Sequence, residues 1–219
     1  FDKHFTKISA EDFFQKIIIK YFSPSDIVIG YDHHFGHDRT GDAEFLNKQT
    51  EFYNFDLHVI DKVQYEGEDV SSSKIRKYLI AGHIEAANKL LGREFQVNGV
   101  VIKGAGRGQS LNIPTANLKI ADTNLLIPGN GVYFVKCQLS NDTYYGVCNI
   151  GVRPTFNNST DVVVEVHLFT REKLNIYGER ITITFIKFIR EEKKFGSVES
   201  LLSQINQDKA TCKKIINTI

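Results

Sequence analysis

The chain of 219 residues contains no methionine and no tryptophan, and it opens on Phe1, so it is expected to be a piece of a longer protein. Cysteine is scarce: Cys137, Cys148 and Cys212 form no CxxC pair and leave an odd number. That excludes a disulfide framework and points to buried thiols in a reducing cytoplasm. An excess of either charge is also missing. With 27 basic and 26 acidic residues the formal net charge is +1, which gives no broad field to attract nucleic acid or a membrane surface. The longest apolar run, Ile17-Ile18-Ile19, falls far short of the roughly 18 residues that span a bilayer, and no secretory apolar segment precedes a cleavage site. The expectation is a soluble protein that binds neither nucleic acid nor membrane. What is present is 42% hydrophobic residues, enough for one large core or two modest ones.

The first part of the chain has an α/β rhythm. Ser9-Ala10-Glu11-Asp12 opens a helix with an acidic third position, and Phe13, Phe14, Ile17 and Ile18 form its apolar stripe. Ile27-Val28-Ile29-Gly30 reads as a strand covered on both faces, ending in the Gly-punctuated segment 31–41. A helix from Asp42, a strand over Leu57-His58-Val59-Ile60, and paired helices over 72–81 and 83–91 follow, with Gly82 and Gly92 as helix stops. After Gly92 the hydrophobic period becomes two. Segments 97–102, 131–139, 144–150, 162–169 and 181–188 read as closely spaced strands, which indicates an antiparallel barrel or sandwich. Ser197 is the expected N-cap of a last helix whose face carries Val198, Leu201, Leu202, Ile205, Cys212, Ile215 and Ile216.

Three features could carry chemistry. Gly104-Ala105-Gly106-Arg107-Gly108 lets backbone amides approach an anion and adds one guanidinium, although it is neither a P-loop nor a Rossmann fingerprint and equally suits a flexible hairpin. Pro114 sets Thr115-Ala116-Asn117 extended, so a hydroxyl and a carboxamide face one way and offer the hard oxygens that Mg²⁺ prefers; an ordinary turn is the alternative. Alternation over 162–169 puts Val162, Val164, Val166 and Leu168 on one face and Glu165 and His167 on the other, between Val163 and Phe169. A desolvated carboxylate there suits a general base on an alcohol, and a solvated sheet face is the plainer possibility. Together these are the parts that phosphoryl transfer to a hydroxyl requires. Basic residues interleaved with aromatics, as on an oligonucleotide-binding barrel, are not found on the strands.

Residues 93–219 resemble riboflavin kinase. The resemblance is carried by Gly99-Val100-Val101, Gly106-Arg107-Gly108, Ile113-Pro114-Thr115-Ala116-Asn117, Gly131-Val132-Tyr133, Asn149-Ile150-Gly151-Val152-Arg153-Pro154, Val164-Glu165-Val166-His167, Tyr177-Gly178 and Ile189-Arg190 through Phe195. It implies a Greek-key β-barrel with a carboxy-terminal helix that turns riboflavin and ATP into FMN. It further implies that Thr115 and Asn117 hold Mg²⁺ and ATP phosphates, and that Gly104, Gly106, Arg107 and Gly108 cover the nucleotide. Glu165 would then take the proton of the ribityl 5′-hydroxyl, with the flavin ring near Arg190 and Phe195. A non-catalytic flavin or nucleotide carrier on the same barrel is the rival expectation.

The first half is similar to the Rossmann-like adenylyltransferase domain of bacterial bifunctional FAD synthetases. Gly30-Tyr31-Asp32-His33-His34-Phe35-Gly36 with Arg39 and Gly41 resembles one of its segments, His33 replacing an aromatic residue, and Ser71-Ser72-Ser73-Lys74-Ile75-Arg76 resembles its phosphate-binding motif. Asp32, Phe35, Arg39, Ser71, Ser72 and Arg76 are therefore the implied site residues, although serines before a helix also serve as plain caps. The family's first strand, Gly-rich turn and H-x-G-H histidines in a strand-turn-helix setting have no equivalent. His33, His34 and His37 read as loop residues rather than a metal site. The expected organisation is an incomplete adenylyltransferase domain over 1–92 and a riboflavin kinase barrel over 93–219, with FMN adenylylation to FAD confined to a longer form.

Overall fold

The computed structural model describes residues 2–104, 115–120, 122, 124–154, 160–170 and 174–217. The chain divides into two compact units, Phe1–Asp69 and Val70–Ile219.

In the first unit Ser9 caps the opening helix: its hydroxyl accepts the Asp12 amide at 3.1 Å, satisfying a donor that a helix start leaves without a partner. Helix α1 (Ala10–Phe13) widens into a π-type coil over Phe14–Phe22. That widening departs from the 3.6-residue period and changes what is buried. Of the expected stripe only Phe14 is fully buried, and Phe13, Ile17 and Ile18 are half-buried. Strand β1 (Asp26–Gly30) lies parallel to β2 (Asp56–Ile60), with Ile29 opposite Val59. Helix α2 (Ala43–Thr50) is capped by Asp42, which accepts from Phe45 N at 2.8 Å. Phe14, Ile29, Leu46 and Phe55 form the core of this unit. The expectation that β1 is covered on both faces fails, since Val28 is 63% exposed: the cluster packs on the Ile27 and Ile29 face alone. A two-residue hairpin, β3 (Gln64–Tyr65) with β4 (Glu68–Asp69), also escaped the sequence reading. Its turn sets Glu66 and Gly67 at positive φ, the mirror-image turn that matches strand twist.

The second unit opens with helices α3 (Ser72–Ile80) and α4 (Ile84–Leu91). Leu79, Ile84 and Ala87 belong to the same buried cluster as the strands that follow, so the helix pair goes with the barrel and the division between units precedes residue 92 by more than twenty residues. Six antiparallel strands come next: β5 (Phe95–Ile102), β6 (Ala116–Ile120), β7 (Gly131–Leu139), β8 (Asp142–Pro154), β9 (Thr160–Leu168) and β10 (Arg180–Arg190). They close in the order β10-β5-β6-β9-β8-β7. Because β10 returns beside β7 after the meander β7-β8-β9, the barrel contains a Greek key. Strand β6, which sequence reasoning took only as an extended segment at its start, supplies the sixth stave.

Alternate residues fill the barrel, among them Val97, Tyr133, Val135, Ile150, Val166, Ile183 and Phe185. Cys137 and Cys148 lie inside it too, and burial pushes the Cys137 thiol up to about 12 and the Cys148 thiol well above its ordinary value. Both are small hydrophobes here, as expected. Val162, placed with the buried set by alternation, is instead 48% exposed near the start of β9. Helix α5 (Val198–Ile216) starts at a capping box in which Ser197 Oγ accepts the Ser200 amide at 3.2 Å, and it packs on β8. Among the described residues no helix is long and apolar enough to cross a membrane.

Candidate active site

The pleat decides which side chains leave the barrel wall. On β9, Val164, Val166 and Leu168 point inward, so Glu165 and His167 point outward together, as the alternation predicts. On β8 the buried Cys148 and Ile150 send Val147 and Asn149 outward, and on β6 the buried Ala116 and Leu118 send Asn117 outward, with Thr115 just before the strand. Register then joins these strands. One row of cross-strand partners runs Arg190–Val132–Asn149–Glu165–Asn117 over β10, β7, β8, β9 and β6. At about 4.8 Å per strand the row covers about 19 Å of wall. Glu165 stands in it between two neutral carboxamides.

Helix α5 turns this wall into a cleft. A cavity of about 310 Å³ lies between them, within the range of small-molecule sites. Asn149, Glu165 and His167 line the wall side, and Leu201, Ile205 and Asp208 line the helix side. Arg190 and Phe195 close one end, with the guanidinium carbon 5.9 Å from the ring centroid. Asp208 is 3% exposed and binds Arg190 through both carboxylate oxygens, at 3.0 Å to Nε and 2.8 Å to Nη2. Glu192 accepts Asn149 Nδ2 at 3.3 Å. Thr115 lines this cavity and also a smaller one of about 80 Å³ bordered by Leu174, Ile176 and Tyr177. Gly104 lies against Asn117, for a methyl group added there would land on the Asn117 carboxamide.

The structure thus brings together Thr115, Asn117, Glu165, Arg190 and Phe195, with Gly104 beside Asn117. Gly106, Arg107, Gly108 and Pro114 lie outside the described residues. Asn149, Glu192 and Asp208 were missed as site residues. The available signal for Asp208 was a carboxylate set on the apolar stripe of α5, three residues after Ile205 and four before Cys212. Asn149 carried no signal beyond its place in the Asn149–Pro154 motif.

The candidates from the first half divide between the two units. Asp32 is exposed, Phe35 packs against Phe13 and Phe45 as a core aromatic, and Arg39 has left-handed backbone at φ 57°. Ser71, Ser72 and Arg76 belong to the second unit, where Ser71 caps α3 by accepting Lys74 N at 3.3 Å and Arg76 is exposed. The string His34-Phe35-Gly36-His37 spells H-x-G-H, but it lies in the loop after β1 and leads into the short turn His37–Arg39, in which Asp38 and Arg39 have positive φ, and not into a helix. His37 Nδ1 is 2.9 Å from Asp38, His33 stacks on Phe35, and among the described residues no group of three or more His, Cys, Asp or Glu could hold a metal.

A closed barrel with an apolar, helix-backed cleft on its outer wall, in which Asp208 and Glu192 are engaged by Arg190 and Asn149 and Glu165 stands between carboxamides near a hydroxyl, suits a small-molecule site. A family model described as riboflavin kinase matches residues 91–216, and one described as FAD synthetase matches residues 1–74. A bifunctional riboflavin kinase/FMN adenylyltransferase from Buchnera aphidicola subsp. Schizaphis graminum is 39% identical over all of this chain and 70% of its own length. Proteins of the same name from Pseudomonas fluorescens and Escherichia coli strain K12 are 34% and 32% identical over 98% of the chain, which spans 68% and 67% of their lengths. A solved structure described as a macrolide-efflux protein from Streptococcus pneumoniae superposes with a TM-score of 0.86 at 30% identity, covering 97% of this chain and 67% of that one. The chain belongs to the family of bifunctional riboflavin kinase/FMN adenylyltransferases.

Proposed function

We propose that this chain transfers the γ-phosphoryl group of ATP to the ribityl 5′-hydroxyl of riboflavin, giving FMN and ADP. The observation that carries the assignment is the row Arg190–Val132–Asn149–Glu165–Asn117, which, with Phe195 beside Arg190, gives the cleft a ring-binding end and an acid-base end on one continuous wall. A flavin ring fits between Arg190, Phe195 and α5. The ribityl chain then runs along the wall toward Glu165. The Glu165 carboxylate takes the hydroxyl proton as that oxygen bonds to the γ-phosphorus, while the bond from γ-phosphorus to the bridging oxygen breaks and ADP leaves with the electron pair. Because Thr115 borders both cavities, the transferred group is assigned a path past Thr115, with the nucleotide approaching from the side of the smaller one. Gly104 and the Gly106-Arg107-Gly108 loop are assigned to the phosphates.

Thr115 Oγ1, just before β6, and Asn117 Oδ1, on its outer face, are hard oxygen donors two residues apart, and such a set fits Mg²⁺, which takes few protein ligands and shares the rest with substrate phosphates and water. Bound there, the ion would neutralise charge on the triphosphate. Gly104 is then a packing requirement for that site. Gly104→Ala should raise the Mg²⁺ concentration for half-maximal activity by roughly ten- to a hundredfold, the usual cost of disturbing a residue that supports a metal ligand, while the melting temperature holds. A magnesium titration at saturating riboflavin measures it, and an unchanged midpoint would remove Asn117 from the metal site.

The direct test is product analysis. Incubation with riboflavin and Mg-ATP is expected to yield FMN and ADP without FAD. Absence of FMN would overturn the kinase assignment and favour a non-catalytic carrier, and formation of FAD would show that residues 1–92 suffice for adenylylation.

A further inference from the structure

We propose that Asp208 is a positioning residue for the flavin end of the site: from the middle of α5 it locks the Arg190 guanidinium into one orientation, so that the cleft presents a preformed flat wall and not a mobile cation. The proposal rests on the riboflavin assignment above. Carboxylates are seldom fully buried unless paired, and Asp208 is both buried and paired. One oxygen lies 3.0 Å from Arg190 Nε, and the other lies 2.8 Å from Nη2. Gln204 Nε2 donates to Asp208 at 2.9 Å from one turn earlier and steers the carboxylate itself. Arg190 Nη1 donates to the Glu191 carbonyl at 2.9 Å. Nε and both terminal nitrogens are therefore held, and the plane of the guanidinium is fixed relative to Phe195.

Two consequences follow for recognition. The charge of Arg190 is matched within the protein, so this end of the cavity suits a neutral, planar ring better than a phosphate. The fixed guanidinium plane also spares the ordering cost that a free arginine would incur on binding, and preorganisation of this kind appears as affinity. A buried ion pair frequently stabilises a fold no more than apolar side chains of equal volume would. Beyond whatever stability the pair adds, Asp208 contributes the orientation of Arg190.

The test is a double-mutant cycle on the whole chain with Asp208→Asn, Arg190→Lys and both together. Riboflavin affinity is read by quenching of flavin fluorescence, and KM values for riboflavin and ATP are read from FMN formation. Asp208→Asn and Arg190→Lys should each weaken riboflavin by roughly tenfold, and the double variant by no more than the worse single change, because residues acting through one contact are not additive. The KM for ATP should stay within about twofold of wild type, the separation of binding terms that kinetic constants allow. Multiplying effects, or equal losses for riboflavin and ATP, would overturn the proposal and leave Asp208 a general structural residue. Should Asp208→Asn not fold, Gln204→Leu removes only the amide that steers the carboxylate and is read in the same way: selective loss of riboflavin supports the device, and equal loss or none overturns it. Wild-type protein that binds riboflavin without making FMN would sink the kinase assignment alone, since the fluorescence arm still decides the role of Asp208.

Discussion

Glu165→Gln is expected to lower kcat for FMN formation by roughly a hundred- to ten-thousandfold, the usual range for removing a general base, while riboflavin affinity stays within about twofold. Glutamine keeps the shape and the carbonyl acceptor of glutamate but cannot take a proton. The loss corresponds to about 3 to 5 kcal/mol of barrier. Phosphoryl transfer asks more of positioning than of covalent chemistry, which favours the lower part of that range. The neighbours make the experiment selective. Asn117 and Asn149 flank Glu165 in register and are neutral, Asp208 is committed to Arg190, and Glu192 accepts Asn149. Glu192→Gln should therefore cost far less than Glu165→Gln. Steady-state kinetics with a fluorescence titration separates the two effects, and full turnover by the Glu165 variant would remove it as the base.

The parts of this site that were legible in the sequence are those written along one strand or one helix. Period-two alternation placed Glu165 and His167 on one face, and both do line the cleft. The Ser197 cap and the burial of all three cysteines were likewise local matters of pattern and polarity. What the sequence withheld was register. That Asn117 and Asn149 sit on either side of Glu165 depends on how β6 and β8 slide against β9, and no local pattern states it. The ion pair of Asp208 with Arg190, 18 residues apart, needs α5 to fold back over the wall, so nothing local singles out this carboxylate. The same limit explains Val28. An apolar run is compatible with cover on both faces, and only the tertiary structure shows that the core of the first unit forms on one. Similarly, helices α3 and α4 belong by period to the helix-rich half and by packing to the barrel, because Leu79, Ile84 and Ala87 find their partners among its strands.

Phe185→Ala should be the most damaging single change to the scaffold under the site, with a cost of about 3 to 5 kcal/mol. The side chain is fully buried and meets Tyr133 edge-on at 5.4 Å and Phe95 at 6.2 Å, so its removal leaves a cavity lined by rings that cannot collapse into it. Its position matters as much as its size. Strand β10 pairs with β5 on one side and β7 on the other, and a register shift follows Phe185 on the β7 side, so the ring sits where the barrel closes and bends. The Phe185 carbonyl accepts Asn88 Nδ2 at 2.9 Å while Asn88 Oδ1 accepts the Phe95 amide at 2.8 Å, which fastens α4 across the same seam. Against a total stability of about 5 to 15 kcal/mol, that loss leaves little margin. Chemical denaturation should show a clear fall in midpoint for Phe185→Ala and almost none for Val28→Ala, whose side chain is already in solvent. Activity per folded molecule should be retained in the cold, since Phe185 points into the barrel and the cleft lies on its outer wall. An unchanged midpoint would mean that closure of the barrel does not depend on this ring, and full loss of activity in protein that remains folded would mean that the inner core and the outer site are not separable.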